Sequence, residues 1–402
     1  MKWLVLFLFF SLSVGQGKAI EIQIDYTYDT NNFFDTDEKK AVMEAVADFF
    51  GDMIDDQLLS IDASQFFRAS WTASFIDPST GGSVNLSNLV VPEDVIIIYV
   101  GSRNLPGNTV GVAGPGGFGA SGASSWIDRI VSRGQTGVSD SPVTDVSLWG
   151  GSIAFDTTNL DDSTRVWNFS LNSNDGSEGG TEFMTVALHE MCHVLGIGIE
   201  FDPGTSIWEE IVSNGIFTGG AAARSNGNIS PSVSGDGHFI QSLTSQYFGS
   251  FGATHGHSAP VLMVPSSTDS GTNFDVITDL DLASLQDLGW EIKPKTGFSA
   301  TALSPAAVSL QWNSVSFKDY AVDRSTALPG GFSTVRASAN GNAQIQSWTD
   351  PSPPAGQAFY QLIDTDIVTA SSASELQSGS KEPESTFSTI YRAPVVVNCN
   401  RH

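Results

Sequence analysis

Two histidines four residues apart, His189 and His193, flank a glutamate in the run Thr185-Val186-Ala187-Leu188-His189-Glu190-Met191-Cys192-His193-Val194-Leu195-Gly196. On a helix, positions i and i+4 share a face, so both imidazoles can be offered to one metal ion. Glu190 lies one residue round, close enough to act on a water at that ion without binding the ion itself. The chemistry such a set performs is zinc-assisted hydrolysis, with Glu190 as general base. A buried helix with two hydrogen-bonded histidines is the competing reading, and the His-Glu-x-x-His spacing weighs against it.

A catalytic zinc takes three protein ligands and keeps the fourth position for water. If the helix ran on past His193, Glu209 or Glu210 would be the next ligand. Gly196 argues against this, because a glycine there ends a helix and turns the chain. A downstream loop must then bring up the third ligand. Before the C-terminal His402, three histidines follow, His238, His255 and His257, and spacing alone leaves the choice among them open.

His189, Glu190, His193 and Gly196 match the motif HExxHxxGxxH of the metzincin zinc peptidases, and the chain resembles that clan. The next motif position is Ile199, which cannot bind a metal, whereas most metzincins carry a histidine there. The leishmanolysin-like branch inserts a long segment before its third histidine. The order Phe217-Thr218-Gly219, Gly235-Asp236-Gly237-His238-Phe239, Val261-Leu262-Met263 is similar to bacterial relatives of that type. The resemblance spans residues 20–292. It implies His238 as third ligand and Met263 as the methionine of a turn beneath the metal. It also implies an α+β catalytic domain of a twisted sheet, an active-site helix, a Met-turn and a C-terminal helix. No tyrosine closely follows Met263, so an oxyanion-stabilising tyrosine is not assigned.

These residues need elements to hold them. Ile20–Tyr26 alternates with period two and predicts a half-buried strand. Asp35-Thr36-Asp37-Glu38 caps a helix whose apolar residues recur from Ala41 to Met53. Val95–Val100 is β-branched throughout and reads as a strand covered on both faces. Gly101–Gly137, rich in glycine and serine, reads as a long surface excursion. Trp149–Asp156 predicts another strand, with Ser152–Asp156 as an edge on which an extended peptide pairs. Thr181 is the expected N-cap of the metal helix. Residues 199–275 show little regular pattern, and Thr278–Leu288 predicts a short helix ending at Gly289.

Residues 1–19, one lysine followed by a short apolar run, read as a secretory signal. The catalytic domain then occupies 20–292, with no separate propeptide apparent, and composition shifts at Lys293-Pro294-Lys295. Residues 297–364 carry only strand signals, which predicts a small all-β sandwich-like domain similar to fibronectin type III modules. Residues 365–402 read as a mobile tail.

A net charge of −26 over 402 residues argues against nucleic-acid partners and anionic membrane surfaces. No later run reaches 18 apolar residues, so no membrane insertion is expected. The expected partner is a protein or peptide substrate, and the oligomeric state is not legible. Ca2+ is compatible with the many aspartates, but no stretch matches a calcium loop and none is assigned. The two cysteines, Cys192 and Cys399, make no disulfide framework, and Cys399 as a thiolate ligand enforcing latency is the minor alternative. Against the secreted zinc endopeptidase stands an exported surface- or carbohydrate-binding protein whose zinc site is structural or vestigial. A zinc hydrolase of non-peptide amides is a third reading.

Overall fold

The computed structural model describes residues 20–140, 143–171, 179–200, 206–246, 258–265, 277–293, 298–304, 307–327, 331–354, 358–366, 387–392 and 397–400. The expected signal, 1–19, lies outside them. The chain divides into two compact units, one of Ala19–Pro294 together with Thr369–His402, the other of Lys295–Val368. The fold is mixed, with helices and several sheets.

The larger unit opens with β1 (Glu21–Asp25) and α1 (Asp37–Gly51), whose N-cap Thr36 accepts from Lys39 N–H. Then come β2 (Ser70–Ile76), β3 (Ser83–Ser87), β4 (Val95–Arg103), β5 (Thr109–Pro115) and β6 (Gly117–Ala123). Next are α2 (Ser124–Ser132), β7 (Gly150–Asp156) and α3 (Phe183–Val194). One sheet runs β1-β4-β7-β5 and ends on the strand Val397–Asn400. Its first three strands are mutually parallel, while β5 is antiparallel to β7 and to Val397–Asn400. A second, antiparallel sheet runs from Phe387–Arg392 through β6 and β2 to β3.

The two sheets explain why β4 is apolar at every position of its first six. Val95, Ile97 and Tyr99 share a core with Trp71, Ala73 and Phe75 of β2, Phe118 and Ala120 of β6, and Trp126, Ile127 and Ile130 of α2. Strand side chains alternate, so Ile96, Ile98 and Val100 face the other side, and they too are fully buried. Each such aliphatic side chain contributes about 1.5–3 kcal/mol on leaving water. On the helical side, α1 and α3 lie against one another and α3 lies along β5 and β7. Phe183 at the start of α3 packs into an aromatic cluster with Phe33, Phe34, Phe155 and Trp167.

Three expectations are corrected. The supposed surface excursion 101–137 contains β5, β6 and α2, with β5 buried throughout. Its glycines serve close approach: a Cβ at Gly116 would lie 2.1 Å from Trp149, and one at Gly122 2.6 Å from Trp126. Ser152–Asp156 is no edge, since β7 pairs with β4 on one side and β5 on the other. Thr181 does not cap α3, because it and Glu182 are drawn into a short parallel ladder with Trp167–Asn168, leaving Glu182 at the N-cap.

Within the stretch read as a tail, Phe387–Arg392 and Val397–Asn400 are strands of the larger unit's sheets. The smaller unit has two three-stranded antiparallel sheets. Leu310 and Trp312 of one meet Tyr320 and Val322 of the other in a single core.

Candidate metal centre

All twelve residues of α3 are buried, including His189, Glu190 and His193. The helix ends in a Schellman motif. Gly196 takes φ +115°, its N–H donates to His193 C=O at 3.0 Å, and Ile197 N–H donates to Cys192 C=O at 3.0 Å. The turn does more than stop the helix, because the carbonyl of Ile197 comes back to His193 and accepts from its Nδ1 at 2.7 Å.

Beyond the turn, Gly198 (φ +75°) meets Gly237 (φ +83°) backbone to backbone. A Cβ on Gly198 would lie 2.2 Å from Gly237 O, and one on Gly237 2.8 Å from Gly198 O. Neither left-handed position tolerates a side chain, so the loop around residue 237 is seated directly on the chain leaving α3. Phe239 anchors that loop among Trp208 and Phe217, with ring centroids 5.2–6.0 Å apart. Between the two glycine and aromatic anchors, His238 is delivered to α3.

The three imidazoles converge. Nε2 of His189, His193 and His238 form a triangle 3.2 Å on each side. Every Nδ1 faces a carbonyl oxygen: Leu262 O for His189 at 2.8 Å, Ile197 O for His193, and Asp236 O for His238 at 3.0 Å. A carbonyl can only accept, so each Nδ1 donates and each Nε2 is the ring atom turned to the centre, where its lone pair is the one available to a ligand. Burial, and secondarily His238, holds the His193 pKa down to about 3, which keeps that ring neutral. Three lone pairs aimed at one point repel unless a cation stands between them. These three buried histidines are close enough to hold one metal ion.

A turn beneath the cluster braces it. Leu262 C=O accepts from His189, while Met263 C=O accepts from Phe239 N–H at 2.8 Å, the residue after His238. The turn therefore joins both histidine-bearing segments, α3 and the loop that carries His238. It is itself held by Asp281, whose carboxylate accepts from Leu262 N–H and Met263 N–H, each at 3.1 Å. Asp281 sits at N3 of the helix Asp279–Asp287 and forms a capping box with Thr278.

Glu190 is fully buried and abuts β5: a Cβ on Gly111 would lie 2.1 Å from its Oε1 and 2.6 Å from its Cδ. Among the other expected candidates, Glu209 is occupied in a capping box with Ser206, and Glu210 accepts from Val143 N–H. His255 and His257 lie outside the described residues. Cys192 is buried beside the site and burial pushes its thiol pKa up, which keeps it protonated. Sequence reasoning missed Asp281 and Gly111. The Thr278-x-x-Asp281 capping pattern was a signal for the first, and nothing local marked the second. No family model, curated protein or solved structure matches this chain.

Proposed function

We propose that this protein is a secreted zinc-dependent endopeptidase. The observation that carries the reading is the buried triangle of Nε2 atoms with Glu190 beside it. Three nitrogens held tetrahedrally about 2.0–2.1 Å from one zinc lie about 3.3–3.4 Å apart, within about 0.2 Å of the observed sides. His189, His193 and His238 would hold the ion, and a three-histidine set leaves one position open, as catalytic zinc requires. Zinc bound there supplies a Lewis acid that polarises a carbonyl and brings a water's pKa towards neutrality.

The protein's own groups do the rest. Glu190 accepts the proton of the attacking water at a carboxylate oxygen and returns it to the amine nitrogen as the peptide bond breaks. The carbonyls of Leu262, Ile197 and Asp236 fix the three tautomers, so no ring must reorient during turnover. Gly111 leaves the space in which the Glu190 carboxylate stands.

The order His-Glu-x-x-His, Gly196, His238 and then the Met263 turn supports a metzincin-like domain of the leishmanolysin type. The smaller unit reads as a fibronectin type III-like sandwich that positions substrate or adheres to a surface; its two sheets around one core support this. Purified protein with stoichiometric zinc should hydrolyse casein, and Glu190→Ala should bind zinc yet lose hydrolysis. Equal inactivity of both proteins, each holding one zinc, would overturn the peptidase in favour of a binding protein.

A further inference from the structure

In the sheet order β1-β4-β7-β5, the outer edge of β5 is the one nearest the proposed general base. Gly111 of β5 is the residue against which the Glu190 carboxylate rests. A strand added to β5 runs about 5 Å away from it, so whatever lies opposite Gly111 passes beside Glu190. The distant edge of the sheet, at β1, offers no such approach. An extended peptide seeking main-chain hydrogen bonds next to the metal site would therefore add to β5.

That edge is taken by this chain. Val397, Asn398 and Cys399 stand opposite Ala113, Val112 and Gly111, and Asn400 opposite Thr109, with a register shift between Cys399 and Asn400. The preceding strand, Phe387–Arg392, stands opposite Ala123–Phe118 of β6. Only Gly116 separates β5 from β6, and the two segments run antiparallel to these strands in the same chain order, one at an edge of each sheet. The ladder on β6 has six paired positions without a shift, while that on β5 has four and is interrupted. One part is an anchor and the other is a short, breakable extension of it.

We propose that Val397–Asn400 is a built-in occupant of the substrate edge, holding the place of an extended peptide beside Glu190 and restraining hydrolysis until it leaves. The proposal rests on the peptidase reading for its consequence, and on the strand pairing alone for the occupancy. A tethered segment experiences an effective concentration on the order of 1 mM. If it alone binds with a Kd of about 100 µM, the edge is about 90% covered, and freeing it raises turnover about tenfold.

The test compares the full chain with the full chain carrying Val397→Pro and Asn398→Pro. Of two adjacent strand residues one points its N–H at the neighbour, so the pair of prolines breaks the ladder in either phase. Casein hydrolysis should rise about tenfold in kcat/KM. A fluorescein-labelled peptide of residues Val395–Arg401 should bind the double variant at least tenfold more tightly than the parent, by anisotropy. The same peptide with Cys399→Ser should bind within about threefold of it, since the ladder is main chain. Labelled peptide that binds both proteins equally, or neither, with casein turnover unchanged, would overturn the proposal. A chain ending at Arg392, which keeps the anchor strand, replaces the double variant if that protein loses its zinc. If no form cleaves casein, the peptidase reading fails, and the peptide-binding difference still decides whether the edge is occupied.

Discussion

Asp281 reaches His189 through a single residue. The carboxylate accepts from Leu262 N–H at 3.1 Å, and the carbonyl of the same Leu262 accepts from His189 Nδ1 at 2.8 Å. A helix nearly a hundred residues downstream of α3 thus sets the orientation of the first candidate ligand.

Replacing Asp281 by alanine strips the acceptor from Leu262 N–H, Met263 N–H and the N–H and hydroxyl of Thr278. Buried donors left unmet cost about 1–3 kcal/mol each, so thermal unfolding should shift down by several degrees or more. Zinc affinity should fall about 10–100-fold in chelator competition, the range for an outer-shell partner of a ligand. Unchanged affinity would show that the turn does not brace His189.

His238→Ala should reduce zinc affinity by more than about 100-fold, beyond the effect of an outer-shell change. His255→Ala and His257→Ala should leave it within about threefold. Equilibrium dialysis of the three variants checks this, and loss of zinc from either of the latter two would reassign the ligand.

Gly111→Ala places a methyl 2.1 Å from the present position of Glu190 Oε1. The carboxylate must move by roughly 1 Å, which is enough to cost about 100-fold in kcat while zinc content stays stoichiometric. A proportional loss of zinc would mean that the substitution disturbs α3 as a whole.

Asp56 belongs to a separate buried network, where it accepts from Glu291 N–H at 2.9 Å and from Gln135 Nε2 at 3.0 Å. Burial, helped by the charges of Asp145 and Glu291, pushes its pKa up to about 7 from 3.8. Between those values the folded protein binds a proton that the unfolded chain does not. The stability this contributes is fully present below about 4 and is lost as pH rises through 7. Asp56→Asn cannot ionise, so its melting temperature relative to the parent should climb between pH 5 and pH 8. A difference that stays flat with pH would refute the assignment.

The helix that carries His189 and His193 was legible because its information is local. Two histidines at i and i+4 and a terminating glycine need no partner to be recognised, and α3 ends at Gly196 as that glycine requires. The buried run of β4 and the capped helix after Thr278 were readable for the same reason. Gly101–Gly137 misled because glycine signals a turn when read alone, whereas Gly111, Gly116 and Gly122 are there for neighbours that come close. Those neighbours are Glu190, Trp149 and Trp126, and the first is 79 positions away in sequence. The supposed edge at β7 failed likewise: whether a strand is an edge depends on what pairs beside it, and β5 had not been recognised.

The larger unit is discontinuous, closing its sheets with strands that follow the whole smaller unit. Asn400 lies 285 positions beyond Pro115, the last residue of β5. At about 5–20 residues per second, a ribosome takes roughly 15–60 s to cover them. During that interval α3, His238 and the Met263 turn are all synthesised while the β5 edge has no partner to cover it. If the proposed peptidase site matured in that window, the nascent chain's own emerging sequence would be the nearest extended peptide. On the proposed reading, where in the chain the last strand is encoded would set the timing of the restraint as well as its strength.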